Sequence, residues 1–153
     1  MDEVPLIGWR EWLALPALGL PAVKAKIDTG ARSSSLHVAD VESFERNGCT
    51  WLRFAVAPRR RGGRLFRCEA PASDRREVTD SGGRITQRWF VRTDVELGGR
   101  RFSAEINLTN RGDMLFPMLL GRTALRGRFR VDPLLSYTCG RLRPRKPISG
   151  NLE

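Results

Sequence analysis

At 153 residues with 41% hydrophobic content, the chain is long enough for one domain around one core and has no composition typical of a disordered tract. No window approaches the roughly eighteen consecutive apolar residues of a membrane-spanning helix, and the acidic opening MDEVPLIGWREW lacks the basic-then-apolar order of a secretory leader. The formal net charge of +10 creates a field that draws polyanions, whether nucleic acid, anionic lipid or acidic polypeptide, without naming which.

Taken in chain order, a first strand is expected over residues 7–13 and a second over 22–27. The second runs straight into Asp28-Thr29-Gly30-Ala31. Gly30 is expected to supply the backbone freedom for a sharp turn, which leaves a carboxylate at a strand end, with Thr29 hydrogen-bonding locally to hold the loop. The plainer alternative is an Asx-type turn in which Asp28 only caps backbone amides. Leu52, Phe54 and Val56 alternate as a third strand, and a short candidate follows over 65–68. From Ile85 to Leu97 every second residue is apolar or β-branched apart from Gln87, a period-2 pattern that predicts a long half-buried strand. Phe102, Ala104, Ile106 and Leu108 then alternate with Ser103, Glu105, Asn107 and Thr109, after a Gly98-Gly99 hairpin connection. An apolar segment over 114–120 ends in Gly121-Arg122, where a short helix over 122–126 is expected. Glycine-, proline- and asparagine-bearing breaks at 58–63, 81–83, 98–99 and 110–112 come at the cadence of an all-β barrel or sandwich. The expected domain covers 1–139. The tail from Gly140, GRLRPRKPISGNLE, is basic, polar and proline-broken, and is expected to lie on the surface or to be disordered.

The order of three elements carries the functional reading. Apolar-Asp28-Thr29-Gly30-Ala31 comes first, then Glu77-Val78-Thr79-Asp80-Ser81-Gly82-Gly83-Arg84-Ile85-Thr86, a glycine-tipped hairpin, and then Leu119-Leu120-Gly121-Arg122. This order resembles the retropepsin-like aspartic peptidases and spans residues 22–125, most of the chain. The stretches KIDTGARSSSLHV, NLTNRGDMLFPMLLGRTAL and FRVDP are more closely similar to the bacterial family often labelled ATP-dependent zinc proteases, whose members accompany RimK-type ATP-grasp glutamate ligases. The resemblance implies an all-β, retropepsin-like closed barrel with a flap hairpin and one short helix after the Gly-Arg motif. It also implies a catalytic carboxylate at Asp28, supported by Thr29, Gly30, Gly121 and Arg122. Ala31, Arg32, Ser81, Gly82 and Gly83 would contact substrate, with the glycine-rich tip closing over it.

An aspartic peptidase needs two carboxylates that share one proton, and this chain has one Asp-Thr-Gly with no room for a second lobe. A homodimer is therefore expected, with one Asp28 from each copy. Retroviral relatives carry an acid two positions after the motif glycine, paired with the Arg of Gly-Arg. Here that position is Arg32, so Arg122 is expected to find another acid, Asp113 or Asp132, while Arg32 offers a fork of donors to carboxylates. With the net charge, this favours an acidic or glutamate-rich polypeptide substrate and a functional link to an ATP-grasp glutamate ligase.

The residues themselves support neither half of the family label. GxxxxGK[ST] and HExxH are absent and His37 is the only histidine, so no cofactor and no metal are expected. Ser33, Ser34 and Ser35 beside His37 lack a nucleophile elbow and are expected to line the turn, with His37 on a strand. Cys49, Cys68 and Cys139 are odd in number and widely spaced, which points away from a disulfide framework and towards a reducing, cytoplasmic compartment. The tract RRRGGRLFR keeps a basic β-barrel that binds nucleic acid as the alternative, by arginine on phosphate and stacking on Phe66. A non-catalytic dimer that binds a peptide under the hairpin is the third reading.

Overall fold

Alternating side chains build the long strands at the centre of this fold. The computed structural model describes residues 4–58, 64–80, 82–110 and 115–140, and its elements run β1 Leu6–Gly8, β2 Arg10–Leu15, β3 Leu20–Asp28, β4 Ser34–His37, β5 Ala39–Arg46, β6 Cys49–Val56, β7 Phe66–Thr79, β8 Ile85–Leu97, β9 Arg100–Thr109, β10 Met118–Gly121, helix α1 Arg122–Leu125 and β11 Arg130–Asp132. The fold is all-β, as expected. Six strands in the order β2-β3-β10-β4-β9-β8 close on themselves where Ala14 of β2 pairs with Glu96 of β8. Closure removes the two edges that such a sheet would otherwise expose.

The barrel interior is the parity read from the sequence: Val91, Val95 and Leu97 of β8 face Phe102, Ala104, Ile106 and Leu108 of β9, all buried. Leu13, Leu15, Leu20, Val23, Ala25, Ile27, Leu36, Met118 and Leu120 fill the rest. Gly98 and Gly99 make the β8–β9 turn with φ of 58° and 79°, left-handed values that glycine adopts at little cost. No described helix is long and apolar enough to cross a membrane.

Several expectations shift. The strand expected over 7–13 is broken at Trp9, because β1 pairs in parallel with β11 whereas β2 pairs antiparallel with β3. The short candidate at 65–68 is the start of β7, 14 residues long. Its second half, Ser73 to Glu77, is exposed on both faces, so alternation leaves no mark there. The same reason hid β5, an exposed edge strand of sequence ADVESFER, while β4, buried but only SSLH, is too short and too polar to show a period. β10 begins at Met118 and not at 114, which lies outside the described residues, and α1 ends at Leu125.

Candidate active site

β3 and β10 run parallel, and their last residues are register partners, Asp28 beside Gly121. Two strands therefore end side by side at one end of the barrel, and the chain leaves each in a different direction. After Asp28 it loops through residues 29–33 to β4. After Gly121 it enters α1. The two exits are tied together by backbone. The Arg122 N–H donates to the Ala31 carbonyl at 2.7 Å, and the Thr123 N–H and Oγ1 donate to the Arg32 carbonyl at 3.3 and 2.9 Å. The Gly121 N–H donates to Ser34 Oγ at 3.0 Å. A Cβ on Gly121 would sit 2.4 Å from the Ser33 carbonyl oxygen and 2.9 Å from that of Ala31, so only glycine admits this approach. The Gly-Arg element thus seats the loop that carries Asp28.

Within that loop, Asp28 Oδ1 accepts the Gly30 N–H at 2.9 Å and the Ala31 N–H donates to the Asp28 carbonyl at 3.3 Å. The Asx-type turn is present, and it coexists with the seat beneath it. One carboxylate oxygen holds the turn, while Oδ2 has no hydrogen bond from the described residues. Asp28 is half-buried at the mouth of the loop. Gly30 does not adopt the left-handed φ expected of it; a Cβ there would stand 3.2 Å from Asp28 Oδ1, a tight approach that the carboxylate would have to yield to. Thr29 also departs from expectation, since it is exposed and its hydroxyl bonds no described residue.

Arg32 and Arg122 are both exposed, and among the described residues neither forms an ion pair. Asp132, expected as a partner of Arg122, instead accepts the Leu134 N–H at 2.9 Å, and Asp113 lies outside the described residues. Ala31 is half-buried in the loop.

The glycine-tipped hairpin joins β7 to β8 through residues 80–84. Asp80 organises it: its Oδ1 accepts the N–H groups of Gly82 and Arg84 at 2.9 and 3.0 Å. Its carbonyl takes the Gly83 N–H at 3.0 Å, and Gly83 has φ of 84°. Gly82 and Gly83 lie at the exposed tip, and Ser81 lies outside the described residues. Asp80 was not singled out in the sequence, although an Asp before Ser-Gly-Gly is the ordinary signal for this turn.

Ser34 and Ser35, expected to line the turn, instead lie on β4, where pairing with β9 and β10 draws them into the sheet, and Asn107 and Arg88 carried no signal in the sequence. Ser34 is fully buried and Asn107 is 1% exposed. Asn107 Nδ2 donates to the Ser34 carbonyl at 2.9 Å, and its Oδ1 accepts Ser35 Oγ at 3.1 Å and Arg88 Nη1 at 3.0 Å. Their separation along the chain left no local pattern to read. His37 lies on β4 as expected, with Nδ1 buried and lacking a partner among the described residues.

The cysteines are all free. Burial pushes the Cys68 thiol up to about 11 and raises that of Cys139 as well, so neither is poised as a thiolate nucleophile. Of the basic tract, residues 59–63 lie outside the described residues, and the Arg64 guanidinium stands 5.5 Å from the centre of the Phe66 ring. Arg46 and Arg53 also stack on Phe44, but both are already paired with Glu69 at 3.0 and 2.9 Å.

A closed β-barrel with an Asp-Thr-Gly loop seated on a Gly-Arg strand end, together with a glycine-tipped hairpin, is the architecture of the retropepsin-like class. The chain belongs to the RimB-like family, described as retropepsin-like aspartic endopeptidase RimB, which it matches over residues 6–141. It is 41% identical over 140 residues, 91% of its length, to a protein of Shewanella halifaxensis called a probable alpha-L-glutamate ligase. A protein of the same description from Desulfotalea psychrophila is 40% identical over 136 residues. The chain spans only 31% and 29% of the lengths of these curated relatives. Among solved structures it is similar to a Legionella pneumophila protein of unknown function (DUF785), with a TM-score of 0.75 and 32% identity over 88% of this chain and 98% of that one.

Proposed function

We propose that the chain is an aspartic endopeptidase that works as a homodimer, with one Asp28 from each copy forming the dyad. The observation that carries this reading is the placement of Asp28: a half-buried carboxylate at a strand end, locked in register with Gly121, with one oxygen held by Gly30 and the other open at the mouth of the loop. Two such groups brought together by a two-fold axis share one proton, since adjacent like charges do not both ionise. The ionised carboxylate takes a proton from a water whose oxygen adds to the scissile carbonyl carbon, and the protonated one delivers its proton to the carbonyl oxygen. Collapse of the resulting diol expels the amine as it gains a proton, which leaves one new carboxyl and one new amino terminus. Thr29, exposed beside Asp28, is available to interlock the two loops, and the hairpin tip at Gly82 and Gly83 closes over the substrate and excludes water.

The substrate is an acidic polypeptide. Arg32 and Arg122 flank the Asp28 loop, exposed and without ion pairs among the described residues, in a chain of net charge +10. The relatives named for glutamate ligation contain a segment similar to this chain, which favours glutamate-rich chains and a functional link to such a ligase.

The test is hydrolysis of poly-α-glutamate and of a mixed protein substrate by wild type and by Asp28→Asn, from acidic to neutral pH. Loss of a positioned acid–base group lowers the rate about 10²–10⁴-fold, so cleavage of the acidic chain by wild type should vanish into background in the variant. Cleavage of the mixed protein alone, lost in the variant, would keep the mechanism and discard the role of the arginines. Equal results for the two proteins on both substrates would discard the peptidase.

A further inference from the structure

Asn107 stands on the outward parity of β9, the one that carries Ser103 and Glu105, yet it is buried more deeply than any other polar residue of that strand. Burying a carboxamide costs free energy that an apolar side chain at the same place would not incur, unless the amide does something the apolar group cannot. Its bonds reach in two directions. On one side, Oδ1 receives Arg88 Nη1 at 3.0 Å, and Arg88 Nε donates to Thr86 Oγ1 at 3.1 Å, so this side grips the arm of the 80–84 hairpin. On the other side, Nδ2 holds the Ser34 carbonyl at 2.9 Å, while the hydroxyl of the same Ser34 receives the N–H of Gly121, the register partner of Asp28. The sense of the amide is set chemically. Turned over, its NH₂ would face the Arg88 guanidinium and its oxygen would face a carbonyl, so only one orientation satisfies every group.

We propose that Asn107 is a positioning residue that couples the hairpin to the loop carrying Asp28. This inference rests on the reading of Asp28 as the catalytic carboxylate. Through Arg88 it fixes where the hairpin leaves the barrel. Through Ser34 it fixes the seat on which the Asp28 loop lies, so the covering element and the reacting group hold a common geometry.

The two bonds are separable by mutation. Asn107→Asp keeps an acceptor for Arg88 but places a carboxylate oxygen against the Ser34 carbonyl. Asn107→Leu removes both, together with the bond that Oδ1 accepts from Ser35 Oγ, at similar volume. The measurements are kcat and KM on poly-α-glutamate per mole of folded full-length protein, and amide hydrogen exchange at Gly121 and around Gln87. Ser103→Ala on the same strand serves as the control. For both Asn107 variants kcat should fall about 10–100-fold with KM little changed, the scale expected for a misplaced reacting group. Exchange at Gly121 should rise about tenfold in both, whereas exchange around Gln87 should rise only in Asn107→Leu. Unchanged kcat per folded molecule, or a uniform rise in exchange over the whole barrel with a lowered Tm, would overturn the proposal. If wild type hydrolyses nothing, exchange decides alone. The split pattern would then support the coupling while the peptidase reading fails, and its absence would overturn the coupling too.

Discussion

Two carboxylates, three positions apart in register across the β2–β3 pair, live in opposite circumstances. Glu11 pairs with Ala25 and is fully buried, and its oxygens take the N–H of Gly8 at 2.7 Å, the N–H and hydroxyl of Thr138 at 3.1 and 2.7 Å, and the N–H of Cys139 at 3.3 Å. Asp28, three residues after Ala25, takes one N–H and faces outward. Glu11 is saturated with donors and is a latch that fastens residues 138–139 to the N-terminal strands. Asp28 keeps an oxygen uncommitted, as the proposed acid–base role requires. Acidity alone does not distinguish the two carboxylates; the number of donors around each does.

The contrast is sharpest in rates and stabilities measured together. Asp28→Asn should abolish hydrolysis while changing the unfolding free energy from urea titration by less than about 0.5 kcal/mol, the usual size for a substitution outside the core. Glu11→Ala should do the reverse. It strands four donors and should cost about 3–4 kcal/mol of unfolding free energy, with kcat per folded molecule preserved. Comparable stability losses in the two variants would break the distinction.

Gly121→Ala joins the two behaviours, since its Cβ would press on the Ala31 and Ser33 carbonyls. A cost of about 2–3 kcal/mol is expected from overpacking, together with loss of turnover as the Asp28 loop is displaced; thermal melts and kinetics on the same samples would check both. Cys68 isolates burial from hydrogen bonding. It is buried, its only bond among the described residues is a 3.9 Å contact with the Phe66 carbonyl, and its thiol is raised to about 11. A pKa raised on folding means that the unfolded chain releases this proton first. The stability is therefore intact below about pH 9 and declines through pH 11, by an amount on the order of 2 kcal/mol that Cys68→Ala should remove from the pH profile. At pH 8 a thiol reagent should label exposed Cys49 well before Cys68.

The Asp28 loop, the Gly-Arg end and the glycine-tipped hairpin were legible in the chain because each is a local device: a short motif next to an apolar strand. The β8–β9 hairpin was legible for the same reason, with alternation on both arms and Gly98-Gly99 between them. β4, β5 and the second half of β7 were not, because exposed or very short strands carry no periodic signal. The turn at Gly30 forms without the left-handed φ expected of it, and the tight approach that a Cβ there would make to Asp28 Oδ1 left no mark in the sequence.

By itself the sequence determined an all-β domain, its strong strands, and an acid held at a tight turn, because alternation and turn chemistry act over a few residues. The tertiary structure alone decided that Gly121 lies beside Asp28, that Asn107 joins the hairpin arm to Ser34 across 73 residues, and that Glu11 closes on Thr138 across 127. Those contacts depend on barrel closure, which sets the register of strands far apart in the chain, and no short window of residues carries that register.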